Sequence, residues 1–238
     1  MAHSSNIYFM KKIYLLALTT LITATVFSQS IYRISFTDKG SMDAISIDLG
    51  DNIIMNLKDD GSLINWGFDV YKSRGGENYT GQLESYVGRI EYFSEAADIA
   101  LRGKIKYVGS VAFNYYASYE GDEFKGKIKS IGNNNFQYYA RYDDAALQGK
   151  IKSIGMTAFN WFAAYENEAM RGKLKSVGNT AFTYYSSMED KAFRGRVKSI
   201  DGSSFTYYSS FDTQDYRGRM KTGTQLQYIN GIKYFVRN

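Results

Sequence analysis

The 238-residue chain contains no proline, no cysteine and a single histidine, His3. Each absence closes a class of chemistry. Without cysteine there is no disulfide, no thiol nucleophile and no thiolate zinc site. The histidine lies in a stretch that reads as a secretory signal. Met10-Lys11-Lys12 is a short basic start, Ile13 to Phe27 is an apolar run, and the small side chains of Val26 and Ser28 precede a cut before Gln29. Residues 1–9 lie upstream of that start and read as a spurious beginning. The apolar run falls short of the ~20 residues a membrane span needs, so no transmembrane span is expected in the mature chain. Removing residues 1–28 removes His3, and with it Ser-His-Asp and Cys-His catalysis and histidine zinc sites. No cysteine follows the signal, so a lipid anchor is excluded as well. The expected destination is the periplasm or the cell surface.

Charge excludes less. The 29 basic residues less Lys11 and Lys12, against 24 acids, leave the mature chain at +3. That is too mild to make nucleic acid an expected partner. Aromatics are abundant, with 22 Tyr and 15 Phe. They favour strands, and the absence of proline suits uninterrupted strand pairing.

What organises the chain is a repeat of 23 residues. Gly103, Gly126, Gly149, Gly172, Gly195 and Gly218 open successive copies, the clearest being GKIKSIGNNNFQYYARYDDAALQ and GKLKSVGNTAFTYYSSMEDKAFR. Such regularity means one supersecondary unit copied and stacked. Counting the glycine as position 1, position 3 is Ile105, Ile128, Ile151, Leu174, Val197 and Met220. Position 11 is Phe in five copies, and position 13 is Tyr115, Tyr138, Trp161, Tyr184 and Tyr207. An alternation of two, the strand period, puts positions 3, 11, 13, 17 and 22 on a core face, position 17 being Tyr119, Tyr142, Tyr165, Met188 and Phe211. Each copy therefore supplies two strands. Position 7, glycine in four copies, leads a hairpin turn, and the acid at position 18 opens a second connection. The expected fold is all-β, a repeat array of β-hairpins in an elongated, curled antiparallel meander, with a β-solenoid as the alternative. The glycine at position 1 sits inside a strand, which calls for a reason; the reading is a neighbouring aromatic ring lying over bare backbone.

The domain reading is a signal at 1–28, an N-terminal β prelude or cap at 29–80, and the array at 81–238. Its best copies span 103–217 and a partial C-terminal cap spans 218–238. In the prelude, Ile31 to Phe36, Ala44 to Leu49, Asn52 to Leu57 and Leu63 to Tyr71 read as strands, and Lys72 to Tyr79 as a loop. Gly81 to Arg102 reads as an eroded copy of 22 residues. An array apolar on one side needs a cover. Curling is expected first and a homodimer through the apolar face second, with the prelude strands a third candidate.

The opposite face carries the candidate site. Position 14 is Tyr116, Tyr139, Phe162, Tyr185 and Tyr208, with lysines across the hairpin at positions 2 and 4, among them Lys129, Lys152 and Lys175. Such a row could stack sugars or bind a polyanion. The reading favoured over these is cross-strand pairing, with rings packed over lysine stems. Asp143-Asp144, Glu166 with Glu168, and Glu189-Asp190 are the candidate carboxylate pairs for a glycoside hydrolase reading. They recur as columns at loop positions, where catalysis needs one site with two distinct environments. No calcium loop of the D-x-D-x-D-G type occurs, and neither catalytic residues, metal site nor cofactor is expected.

The GKIKSIG phrase at Gly126–Gly132 and Gly149–Gly155, with the Tyr-Tyr pairs at 138–139, 184–185 and 207–208, resembles a family of exported proteins from Bacteroidetes, particularly flavobacteria. The resemblance implies a compartment and no mechanism. A looser similarity is to MORN repeats, which also form successive hairpins of 23 residues; their Tyr-x-Gly and Gly-x-Gly spacing is absent here. The function expected is that of a non-catalytic exported structural or interaction protein, with a carbohydrate- or polyanion-binding module next and a hydrolase third. A cell-surface glycan, a polyanion or a protein are the partners in view.

Overall fold

The computed structural model describes residues 29–70 and 82–238, so the signal segment and the loop at 72–79 lie outside it. The described chain is nearly all-β. Its strands are β1 (Ser30–Phe36), β2 (Met42–Gly50), β3 (Ile53–Leu57), β4 (Leu63–Phe68) and β5 (Ile90–Tyr92), then β6 (Ile105–Val108), β7 (Val111–Tyr115), β8 (Ile128–Ile131), β9 (Asn134–Tyr138) and β10 (Ile151–Ile154). They continue with β11 (Thr157–Trp161), β12 (Leu174–Val177), β13 (Thr180–Tyr184), β14 (Val197–Ile200), β15 (Ser203–Ser204), β16 (Thr206–Tyr207), β17 (Met220–Thr222), β18 (Leu226–Ile229) and β19 (Ile232–Val236).

The array is an eleven-stranded sheet in strict chain order, β5 to β15. Every pair in it is antiparallel, so it is the meander and not the solenoid. Each hairpin closes at positions 6 and 9, as in Ile131 with Asn134. Gly132 has φ +54° at the first turn position, as a type II′ turn requires. The fifth copy replaces glycine with Asp201-Gly202, both at positive φ, the pattern of a type I′ turn.

Between copies the register is broken by a bulge. Asn114 pairs Ser130, but the next residue, Tyr115, pairs Ile128, so Lys129 is the extra residue. The same slip recurs at β9–β10, β11–β12 and β13–β14. A bulge reverses the inward and outward sequence beyond it. Positions 3 and 6 therefore both face inward: Ile128 with Ile131, Ile151 with Ile154, Leu174 with Val177, all buried.

Two expectations fail for related reasons. Strands end at position 13, so alternation does not reach position 17. Tyr119, Tyr142, Tyr165, Met188 and Phe211 sit on the following turn and are 84–94% exposed. The glycine at position 1 has no ring over it. Its φ lies between +69° and +77° in all six copies, a left-handed conformation that costs other residues.

The cover of the apolar face is the prelude together with the chain's end. They form one six-stranded sheet, order β18-β19-β1-β2-β3-β4. β1 and β19 lie side by side in parallel, Ile34 opposite Tyr234. This sheet faces the array across a single core. Phe182 of the array meets Phe36 at 5.2 Å and Tyr234 at 5.4 Å between ring centroids. Neither curling nor a second copy is what buries the face, and the expected homodimer through it loses its basis, because Ile151, Leu174 and Phe205 are already inaccessible in one chain.

Candidate functional site

The position-14 rings do form a row, each with a lysine over its face and three of the four phenols hydrogen-bonded. The lysine at position 4 of the next copy lies over the ring face: Lys129 over Tyr116 at 5.5 Å, Lys152 over Tyr139 at 5.3 Å and Lys175 over Phe162 at 5.1 Å. Lys198 over Tyr185 and Lys221 over Tyr208 extend the series. The phenols donate to the main-chain carbonyl of the next copy's phenylalanine: Tyr116 to Phe136, Tyr139 to Phe159, Tyr185 to Phe205. The ring edges meet position 22, as in Tyr185 with Phe193 at 4.7 Å.

Counting back from Gly103 places Phe93 in the same row, with Lys106 over it at 5.9 Å. Anchoring the eroded copy on Gly81 with 22 residues hid this; holding the period at 23 would have found it.

The position-2 cations do not share the lysine face, as simple alternation had it. They are half-buried and lie over the position-13 rings: Lys127 over Tyr138 at 4.8 Å, Lys150 over Trp161 at 4.8 Å and Lys173 over Tyr184 at 5.4 Å. The bulge, whose extra residue is position 4 itself, is what separates the two sets.

The carboxylates are turned to the backbone. At position 18, Glu166 accepts from the Ala163 amide at 2.6 Å and pairs Lys175 at 2.9 Å. Glu120 with Lys129 and Glu189 with Lys198 repeat the arrangement. At position 19, Asp144 accepts from the amides of Ala146 and of Ala164 in the next copy, both at 2.9 Å. Asp190 does the same for Ala192 and Ser210. The Ala192 amide and the Ser210 hydroxyl hold Asp190 below the usual carboxylate range. Desolvation raises Glu166 and Glu189, but hydrogen bonds from lysine and backbone outweigh it and bring both below their ordinary value. A glycosidase acid needs the opposite shift. Among the described residues no group of three or more Asp, Glu, His or Cys side chains is placed to hold a metal ion.

The position-17 column, by contrast, is left exposed. Tyr119, Tyr142, Tyr165, Met188 and Phe211 project from successive turns along one edge of the array. Two strands separate successive members, a spacing of about 9.6 Å.

The model of the family described as BspA type leucine rich repeat region matches residues 91–216, in six copies. No curated protein and no solved structure matches the chain. Among the described residues no helix is long and apolar enough to cross a membrane.

Proposed function

The chain belongs to the BspA type leucine rich repeat family, and from that premise we propose that it is an exported, non-catalytic binding protein that docks an extended glycan along the turn edge of its array. The observation that carries this is the position-17 column. Five large side chains stand almost fully in water while the rest of the repeat engages its rings, phenols and carboxylates internally. Exposed apolar side chains gathered in one place mark interaction surfaces.

The partner follows from the column's shape. A compact protein partner wants a patch with a buried centre, typically near 800 Å² on each side. A single file of side chains about 9.6 Å apart suits a linear polymer whose apolar faces recur at the same interval. A β-1,4-linked glycan presents a sugar face once per disaccharide at a comparable pitch. The ring row of Tyr116, Tyr139, Phe162, Tyr185 and Tyr208 is not assigned this role, because each ring face already carries a lysine.

Affinity electrophoresis through gels containing a soluble β-1,4-glucan or chitin oligomers tests the reading. The native chain should be retarded, and a Tyr142→Ser, Tyr165→Ser double variant should lose at least tenfold in affinity with unchanged melting. Equal retardation of the two proteins, or none for the native chain on any linear glycan, overturns it.

A further inference from the structure

Two hairpin loops of the six-stranded sheet reach the array, and they are near copies of one another. Thr37-Asp38-Lys39-Gly40-Ser41 joins β1 to β2, and Lys58-Asp59-Asp60-Gly61-Ser62 joins β3 to β4. Their internal hydrogen bonds coincide: Thr37 N to Ser41 O at 2.8 Å, and Lys58 N to Ser62 O at 2.8 Å. Gly40 and Gly61 have φ of +77° and +79°. Both also press so closely on the array that a Cβ would collide with it, at the Gly195 carbonyl and at the Tyr138 phenol.

Each loop lands on a neighbouring pair of position-2 cations. Lys127 donates to the Asp60 carbonyl at 2.8 Å, and Lys150 pairs the Asp59 carboxylate. Two copies further along, Lys173 donates to the Lys39 carbonyl at 2.7 Å and Arg196 to the Asp38 carbonyl at 2.5 Å. The docks are equivalent in backbone and differ in charge. In the first, two cations meet Asp59 and Asp60. In the second, Lys39 stands where Asp60 stands, and the Asp38 carboxylate is 4.0 Å from Arg196.

The second dock opens into a cavity of about 470 Å³, lined by Lys39, Lys173, Lys191, Arg194 and Arg196, with Glu168 as the single carboxylate on its wall. Asp38 and Asp190 lie beside it, Asp190 held by backbone amides, so cations still outnumber acids. Among the described residues the Lys39 and Arg194 side chains make no ion pair. Desolvation brings Lys173 down to about 8, with the neighbouring Arg196 charge adding to it.

We propose that this cavity binds a multiply charged oxyanion, a phosphate or sulfate ester, held between Lys39, Lys173, Lys191, Arg194 and Arg196. Charge-assisted hydrogen bonds from lysine and arginine are the strong class of oxyanion contact. A cavity of this size, within the range of small-molecule sites, has room for the sugar or other group that carries the ester. No position-17 side chain lines this cavity, and the proposal does not depend on what that column binds.

Isothermal titration of the full chain with inorganic pyrophosphate and, separately, with a sulfated disaccharide tests the proposal. Saturable one-to-one binding of either probe, weakening as salt is raised, is expected; the probe that binds tells phosphate from sulfate ester. Lys39→Asp rebuilds the charge of the first dock and should lower affinity at least tenfold. Arg194→Gln, at an exposed position whose side chain makes no hydrogen bond or ion pair among the described residues, should lower it about threefold or more with unchanged melting. Lys125→Gln, at a residue that lines the cavity beside Asp60 and Lys127 at the other dock, should leave affinity as it was. Failure of both probes to bind, or undiminished binding by both Lys39→Asp and Arg194→Gln, overturns it.

Discussion

The Tyr184 phenol donates to the main-chain carbonyl of Leu174 at 2.7 Å, ten residues back in the same copy. The hairpin around it pairs only at Ser176 with Ala181 and Val177 with Thr180, so this carbonyl lies beyond the paired part. The side chain supplies the donor that a longer strand would have offered. Tyr138 to Ile128, Trp161 to Ile151 and Tyr207 to Val197 repeat the bond, which explains why a tryptophan serves as well as a tyrosine.

Tyr184→Phe leaves that buried carbonyl without a partner, which costs about 1–3 kcal/mol. Tyr185→Phe, at a half-buried ring, should cost less, about 0.5–1.5 kcal/mol. Denaturant melts of the two variants side by side check the order, and a larger loss at Tyr185 would contradict it.

Gly149→Ala should cost about 1–2 kcal/mol through its left-handed backbone. Crowding adds little, because a Cβ there would meet only the Lys127 ammonium at 3.8 Å. Gly149→Asn should cost less than Gly149→Ala, since asparagine tolerates that conformation. Were the glycine there to admit a ring, both substitutions would be equally damaging.

Asn167 binds one copy to the next. Its side-chain oxygen accepts from Ala169 N at 3.0 Å and Ser187 N at 3.1 Å. Asn167→Ala should destabilise by about 1 kcal/mol, as loss of a capping acceptor does. Asn167→Asp should restore stability, because Asp144 and Asp190 fill the same position in neighbouring copies. Thermal melts of the pair decide it.

Alkaline pH should unfold the protein cooperatively. Burial raises the phenols of Tyr138, Tyr184 and Tyr207 well above their ordinary 10.0. A group whose folded pKa is raised contributes stability fully present below its unfolded pKa and lost as pH climbs toward the folded one. Melting temperature should thus fall steeply above about pH 10. Tyrosinate absorbance should rise together with loss of the β signal; full ionisation of the native protein before unfolding would contradict this.

The period, the hairpins and the buried columns at positions 3, 11 and 13 were legible because each depends on a few residues of unbroken strand. Position 6 was not, because nothing in Lys129 or its equivalents announces the bulge that turns Ile131 inward. Position 17 misled for a similar reason. Tyr142 continues the alternation of Phe136 and Tyr138, yet the strand has ended and the chain has turned. The aromatic and basic row was visible from composition and spacing. That each lysine lies on a ring, and the phenols of Tyr116, Tyr139 and Tyr185 on carbonyls, depends on the neighbouring copy, which no single repeat shows. The likeness of the loops at Asp38 and Asp59 acquires meaning only once both are seen to land on the same array.

The parallel contact of β1 with β19 joins the first described strand to the last. The sheet that covers the array is completed only when β19 pairs with β1, so the strands on either side of the array in sequence must meet before its apolar face is fully covered. It also sets a length. An inserted copy would widen the array by two strands, about 9.6 Å, beneath a cover that gains none. Arrays of this kind are usually free to lengthen or shorten by whole units; this one has its copy number measured by its own lid.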